Sequence, residues 1–176
     1  MMPMDTHPVA GTILKKGDFG SIMLRRITEL EARSGIRLGL AQKILLAETG
    51  TVEQVLSILT NSTVRIEVIE QKENSRTITR RSIITNDTGK ALIEARSKVF
   101  KRSLPARVVS QIKHKESGIG TIIASAGLET FRKIVQIGYN PASGSVFRKY
   151  QIIVRKKVAF EITEELVGIE SGPGGI

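Results

Sequence analysis

The sequence predicts an α+β fold, an antiparallel β-sheet with helices packed on it, and three observations carry that prediction. Apolar residues recur at helical spacing over the first third of the chain, then alternate with period two over most of the rest. Hairpin turns join several of the period-two runs, which follow an N-terminal helical part, and the regular βαβ alternation of a dinucleotide-binding domain is absent. At 176 residues, with 40% hydrophobic and 25% charged residues, the chain is long enough to bury a core and reads as one domain over 1–176.

The elements follow in order. Pro3 and Pro8 mark a loose start over 1–10. Ile22, Leu24, Ile27 and Leu30 predict a helix over 21–32 that Gly35 ends. A second helix spans about 39–48, Gly50 breaks the chain, and Thr51 caps a third helix with buried stripe Val52, Val55, Leu56 and Leu59. Thr51-Val52-Glu53-Gln54 has the form of a capping box. Strands are predicted at 64–68, 77–85 and 91–99, the last two joined by the turn sequence Asn86-Asp87-Thr88-Gly89. Pro105 opens a short helix with Val108, Val109 and Ile112 inward. Gly118 and Gly120 interrupt it before the β-branched segment Thr121-Ile122-Ile123. Strands at 129–137 and 145–154 flank Asn140-Pro141-Ala142-Ser143-Gly144, and a last strand over 158–167 precedes a Gly/Pro-rich tail at 171–176. There is no internal repeat.

Composition narrows the function classes. The absence of Cys excludes disulfides, thiolate nucleophiles and Cys-based metal sites. His7 and His114 are the only histidines, and neither has acidic or histidine neighbours at ligand spacing, so no metal site is expected. Gly118-Ile119-Gly120 lacks the third glycine of a dinucleotide loop, and no serine sits in a nucleophile elbow. No cofactor is expected. No apolar run reaches membrane-spanning length and no signal pattern opens the chain, so a cytoplasmic protein without membrane contact is expected. The net charge of +10 attracts anions. With 4% aromatic residues and basic residues interleaved with Glu, a small dianionic substrate is the expected partner and nucleic acid is disfavoured.

Two segments place ionisable side chains inside strand-like apolar runs, where a charge is costly unless a residue or ligand pairs with it. In 160–166, alternation puts Phe160, Ile162, Glu164 and Leu166 on one face. Glu164 is then either a carboxyl shielded from water and useful as a proton donor, or a carboxylate held by an internal arginine. In Arg80-Arg81-Ser82-Ile83-Ile84 one arginine points in and one out, and alternation alone does not decide which. The inward one suits a carboxylate ligand, and the outward one an ordinary surface pair. Arg96 in the third strand is a further candidate or a solvated neighbour.

From about Gln42 to Val167 the chain resembles the chorismate pyruvate-lyase family, in particular its archaeal-type branch. The likeness rests on an ordered series: Leu45-Leu46-Ala47-Glu48-Thr49-Gly50-Thr51, Arg81-Ser82-Ile83-Ile84, Gly89-Lys90, Ala95-Arg96, Ile119-Gly120, Phe131 to Gly138, and Thr163-Glu164. The resemblance implies a small enclosed ligand cavity and cofactor-independent conversion of chorismate to 4-hydroxybenzoate and pyruvate. It matches Arg81 to the family's carboxylate-binding arginine and Glu164 to its essential glutamate. Thr51, Ile119, Gly120 and Arg96 fall at substrate-binding positions. Thr51 stands where the family has an apolar Met, and Lys156-Lys157 replaces a Gly/Pro turn, which leaves the register at Glu164 open by one residue. The same fold serves as an effector-binding domain in GntR-type regulators, so the alternative is a non-catalytic sensor of an aromatic acid. A sensor needs an attached DNA-reading unit, for which residues 1–60 offer only about three helices.

Overall fold

The computed structural model describes residues 19–170. The loose start, His7 and the tail at 171–176 lie outside them. Three helices come first, α1 (Phe19–Ser34), α2 (Leu40–Ala47) and α3 (Val52–Thr60). Strands β1 (Arg65–Glu73), β2 (Thr77–Thr85) and β3 (Ala91–Phe100) follow, then helices α4 (Ala106–Lys113) and α5 (Ile119–Ser125), and finally β4 (Thr130–Asn140), β5 (Ser145–Val154) and β6 (Lys157–Leu166). The strands form one antiparallel sheet in the order β1-β2-β3-β6-β5-β4, an α+β architecture. After β3 the chain passes through α4 and α5 to the far edge, and returns as two hairpins that seat β6 beside β3.

Local chemistry accounts for most boundaries. Gly35 adopts φ +68° and ends α1, its N–H donating to Glu31 O. Asn86 Oδ1 accepts from Lys90 N at 2.8 Å and Gly89 takes φ +84°, which closes the β2–β3 turn. Arg155 and Lys156 both have positive φ, as a two-residue hairpin with the twist of its strands requires.

One local expectation fails. The capping box at Thr51 does not form: the Thr51 side chain makes no cap hydrogen bond, and its methyl carbon points instead toward Gly120. Half of such a box occurs at α2, where Gly39 N–H donates to Gln42 Oε1 at 3.0 Å. The β-branched segment Thr121-Ile122-Ile123 is helical, because α5 buries Ile122 and Ile123 in an apolar cluster whose gain exceeds their weak helix propensity.

The helices divide the inner face of the sheet between two cores. At one end Ile27, Leu45, Leu46 and Leu56 of α1–α3 pack on Ile84, Ile93, Val146 and Leu166. At the other, Val108, Ile112, Ile122 and Ile123 of α4 and α5 pack on Ile78, Val99, Ile152 and Phe160. The first three helices thus share a core with the sheet and do not form a separate unit. Between the two cores runs a polar belt.

Candidate active site

The belt is built by strand register. Arg148 on β5 and Glu164 on β6 are directly paired across their ladder, and both side chains point inward. Arg148 is 1% exposed and Glu164 3%. Arg148 Nε donates to Glu164 Oε2 at 2.7 Å, and Tyr150 OH donates to Glu164 Oε1 at 2.8 Å, so each carboxylate oxygen has a partner. At its far end the guanidinium takes hold of Glu48, just after α2: Nη1 donates to the Glu48 carbonyl at 2.7 Å and Nη2 to Glu48 Oε1. Its carbon lies 4.9 Å from the Tyr150 ring centroid. Burial alone lowers the Arg148 pKa, but Glu164, Tyr150 and Glu48 outweigh it and raise the value. Burial, and then Glu164, push the Tyr150 phenol well above its ordinary range, so it serves as a hydrogen-bond donor.

Arg80 is the inward arginine of β2, paired in register with Ser97 and 4% exposed. Nε donates to Gln71 Oε1 at 3.0 Å, Nη1 to Ser117 O at 2.9 Å, and Nη2 to Ile112 O at 2.7 Å. All three acceptors are neutral. Arg80 has no carboxylate partner among the described residues, and burial lowers its pKa. A guanidinium carries five N–H donors, so two remain for a ligand. Gln71 and the carbonyls at the end of α4 and the start of the α5 lead-in hold the fork in place.

Arg80 and Glu164 border one small cavity of about 50 Å³, with Ser82, Ser97 and Tyr150 also on its sheet side. Val52 and Glu53 of α3 close one wall, and Gly118, Ile119 and Gly120 form the roof. The roof packs tightly on the side chains beneath it. A Cβ on Gly118 would lie 2.3 Å from Ile66 Cδ1 and 2.6 Å from Glu53 Oε1, and one on Gly120 would lie 3.2 Å from Thr51 Cγ2. The cavity is well below the ~300–1,000 Å³ of ordinary small-molecule pockets.

Strand register separates the sequence-predicted residues. Glu164, Ile119 and Gly120 line the cavity, and Thr51 packs behind Gly120. Arg81 and Arg96 do not join them. They lie opposite each other on β2 and β3, exposed on the other face of the sheet, because each follows or precedes an inward residue by one position. The inward role falls to Arg80. The register at Glu164 is also settled: Glu165 points outward and accepts from Asn140 Nδ2 at 3.1 Å. Sequence reasoning missed Arg148, Tyr150, Glu48 and Glu53. The alternation Val146, Arg148, Tyr150, Ile152, Val154 marks Arg148 as inward on the same grounds used for Glu164. Nothing local marks Glu48 or Glu53, which enter through helix placement.

The fold and the cavity define an α+β protein with a charged, enclosed site between two apolar cores. No family model matches the chain. It is 33% identical over 140 residues to "Putative lyase MJ0807" of Methanocaldococcus jannaschii, a match spanning 70% of this chain and 76% of that protein. The chain belongs to the family of that archaeal protein. Among solved structures, the ligand-binding domain of a putative GntR-family transcriptional regulator from Bordetella bronchiseptica matches with a TM-score of 0.42 and 5% identity, over 58% of this chain and 85% of that one. Among the described residues, no helix is long and apolar enough to cross a membrane.

Proposed function

We propose that the chain is a lyase that eliminates pyruvate from chorismate to leave 4-hydroxybenzoate, using its own side chains and no cofactor. The observation that carries the reading is Arg80, a buried cation with only neutral partners, facing the same cavity as a fully paired Glu164. A buried positive charge without a counter-ion fits an anionic ligand, and the planar fork fits a carboxylate. The lyase name carried by the archaeal relative and the ordered likeness to the chorismate pyruvate-lyase family point the same way.

In this reading Arg80, and not its outward neighbour Arg81, grips the ring carboxylate. Glu164 is held as an anion by Arg148 and accepts a further hydrogen bond from the ring hydroxyl. Tyr150, which lines the cavity, and Arg148 and Glu48 behind it position Glu164. The elimination breaks the carbon–oxygen bond between the ring and the enolpyruvyl group, whose oxygen keeps the bonding pair. The ring loses one hydrogen as a proton, the departing enolpyruvate takes up a proton to become pyruvate, and the aromatic ring so formed supplies much of the driving force. The site contributes orientation and electrostatic stabilisation inside a cavity that excludes water.

Purified protein incubated with chorismate, without added metal or cofactor, tests the proposal. Pyruvate and 4-hydroxybenzoate in equal amounts above a protein-free blank are expected. Tight binding of 4-hydroxybenzoate with no product above the blank would replace the lyase by a non-catalytic aromatic-acid binder.

A further inference from the structure

Glu53 is the one carboxylate on the cavity wall that the network around Arg148 leaves out. Its Oε1 is buried without a hydrogen-bond partner. It packs directly under the roof: a Cβ on Gly118 would lie 2.6 Å from its Oε1, and one on Gly120 would lie 3.3 Å from its Oε2. A polar atom buried and unpaired in this way costs stability, and a protein keeps such a group where a ligand completes it. We propose that Glu53 is a ligand-contacting residue of the cavity, donating a hydrogen bond from its carboxyl group to an acceptor oxygen of the bound acid. This deepens the lyase reading and rests on it for the identity of the ligand.

The groups facing Glu53 fix the direction of its chemistry. Glu164 on β6 and Glu48 beyond α2 are the neighbouring anions. Arg132 on β4 and Arg80 on β2 are the cations of the site, and Tyr150 on β5 is a neutral donor. Burial raises the Glu53 pKa; its own backbone N–H opposes this, Glu164 adds to the rise, Arg132 offsets part of it, and Glu48 adds again. A carboxyl that keeps its proton is a donor, and it does not repel an anion. The two ends of the cavity then differ: a charged fork at Arg80 for a carboxylate, and an uncharged donor at Glu53 for a second oxygen. That pattern selects acids carrying two separated oxygen functions over simple apolar acids such as benzoate.

The test is calorimetric titration of the full chain and of Glu53→Gln and Glu53→Met with 4-hydroxybenzoate and benzoate, at a mildly acidic and a mildly alkaline pH, with thermal melts of each variant. The wild type should bind 4-hydroxybenzoate more weakly as the pH is raised, because a deprotonated Glu53 has no donor to offer. Glu53→Gln, which keeps an N–H donor, should bind within a few-fold of the wild type and lose that pH dependence. Glu53→Met should bind about tenfold more weakly, the loss of one good hydrogen bond, should no longer prefer 4-hydroxybenzoate over benzoate, and should melt higher than the wild type. Glu53→Met binding like the wild type, or melting lower with its preference intact, overturns the proposal. Chorismate turnover with no Glu53 effect overturns this inference alone. A Glu53-dependent preference without turnover overturns the lyase reading alone, and no binding by the wild type overturns both.

Discussion

The two faces of the central strands carry the same kinds of side chain and put them to different use. On the inner face Arg80, Arg148, Glu164 and Tyr150 are buried, each with named partners at hydrogen-bonding distance. One residue away in register, Arg81 pairs with Arg96, Arg96 with Thr163 and Thr163 with Lys149, a row across four strands on the outer face in which the three cations are exposed. Inside, removing a partner leaves a charge stranded in a medium that cannot solvate it. Outside, water screens every pair, and two arginines opposite each other weakly repel. The difference teaches that charge content says little about a site until the face is known.

The comparison is broken most severely at Arg148. Arg148→Met strands Glu164 and Glu48 in the core and should cost about 3–5 kcal/mol of stability, measured by denaturant unfolding. If the variant unfolds within 1 kcal/mol of the wild type, on the order of a surface pair, the inner network is no different from the outer row. Next is the roof. Gly118→Ala makes the side-chain tips of Ile66 and Glu53 shift and should cost about 1 kcal/mol, the low end of an overpacking penalty because both tips can move, where Gly35→Ala meets no atom within 4 Å and is penalised only through its φ of +68°.

Glu53→Gln gives a smaller effect with a definite pH signature. A folded-state pKa above the ordinary 4.5 means that above that pH the unfolded chain releases a proton the folded chain retains, so the wild type loses stability as pH rises through the window between the two values. Glutamine removes that loss. The variant should therefore gain stability over the wild type as pH rises above 4.5 and nothing well below it, read as the difference in melting temperature across pH. The smallest effect belongs to the outer face: Arg81→Ser should change stability by less than about 0.5 kcal/mol, since Arg81 lies opposite Glu70 on one side and Arg96 on the other and the two effects offset.

Much of this architecture was legible before any coordinates. Alternation placed Glu164 inward in β6 because Phe160, Ile162 and Leu166 share its face, and turn chemistry at Asn86–Gly89 located the β2–β3 hairpin. The choice between Arg80 and Arg81 was not legible, since Ile78 and Ile84 accompany one and Ile83 the other. Counting residues along the matched series without a gap selected Arg81, whereas ladder register selects Arg80. The Thr121-Ile122-Ile123 segment carries no assignment in the sequence: its β-branched residues favour a strand locally, and burial against α4 and the sheet makes it helical. Glu48 and Glu53 reach the belt only because α2 and α3 end and begin beside it, a tertiary fact with no local trace.

The most direct test of the account is the steady-state rate of chorismate conversion by Arg80→Ala and Arg81→Ala, measured side by side with their melting temperatures. Loss of a buried charge-assisted contact should lower kcat/KM for Arg80→Ala by about 10- to 100-fold, while Arg81→Ala stays within about twofold of the wild type. A large loss in Arg81→Ala with Arg80→Ala active would place the working site on the open face of the sheet and contradict the account.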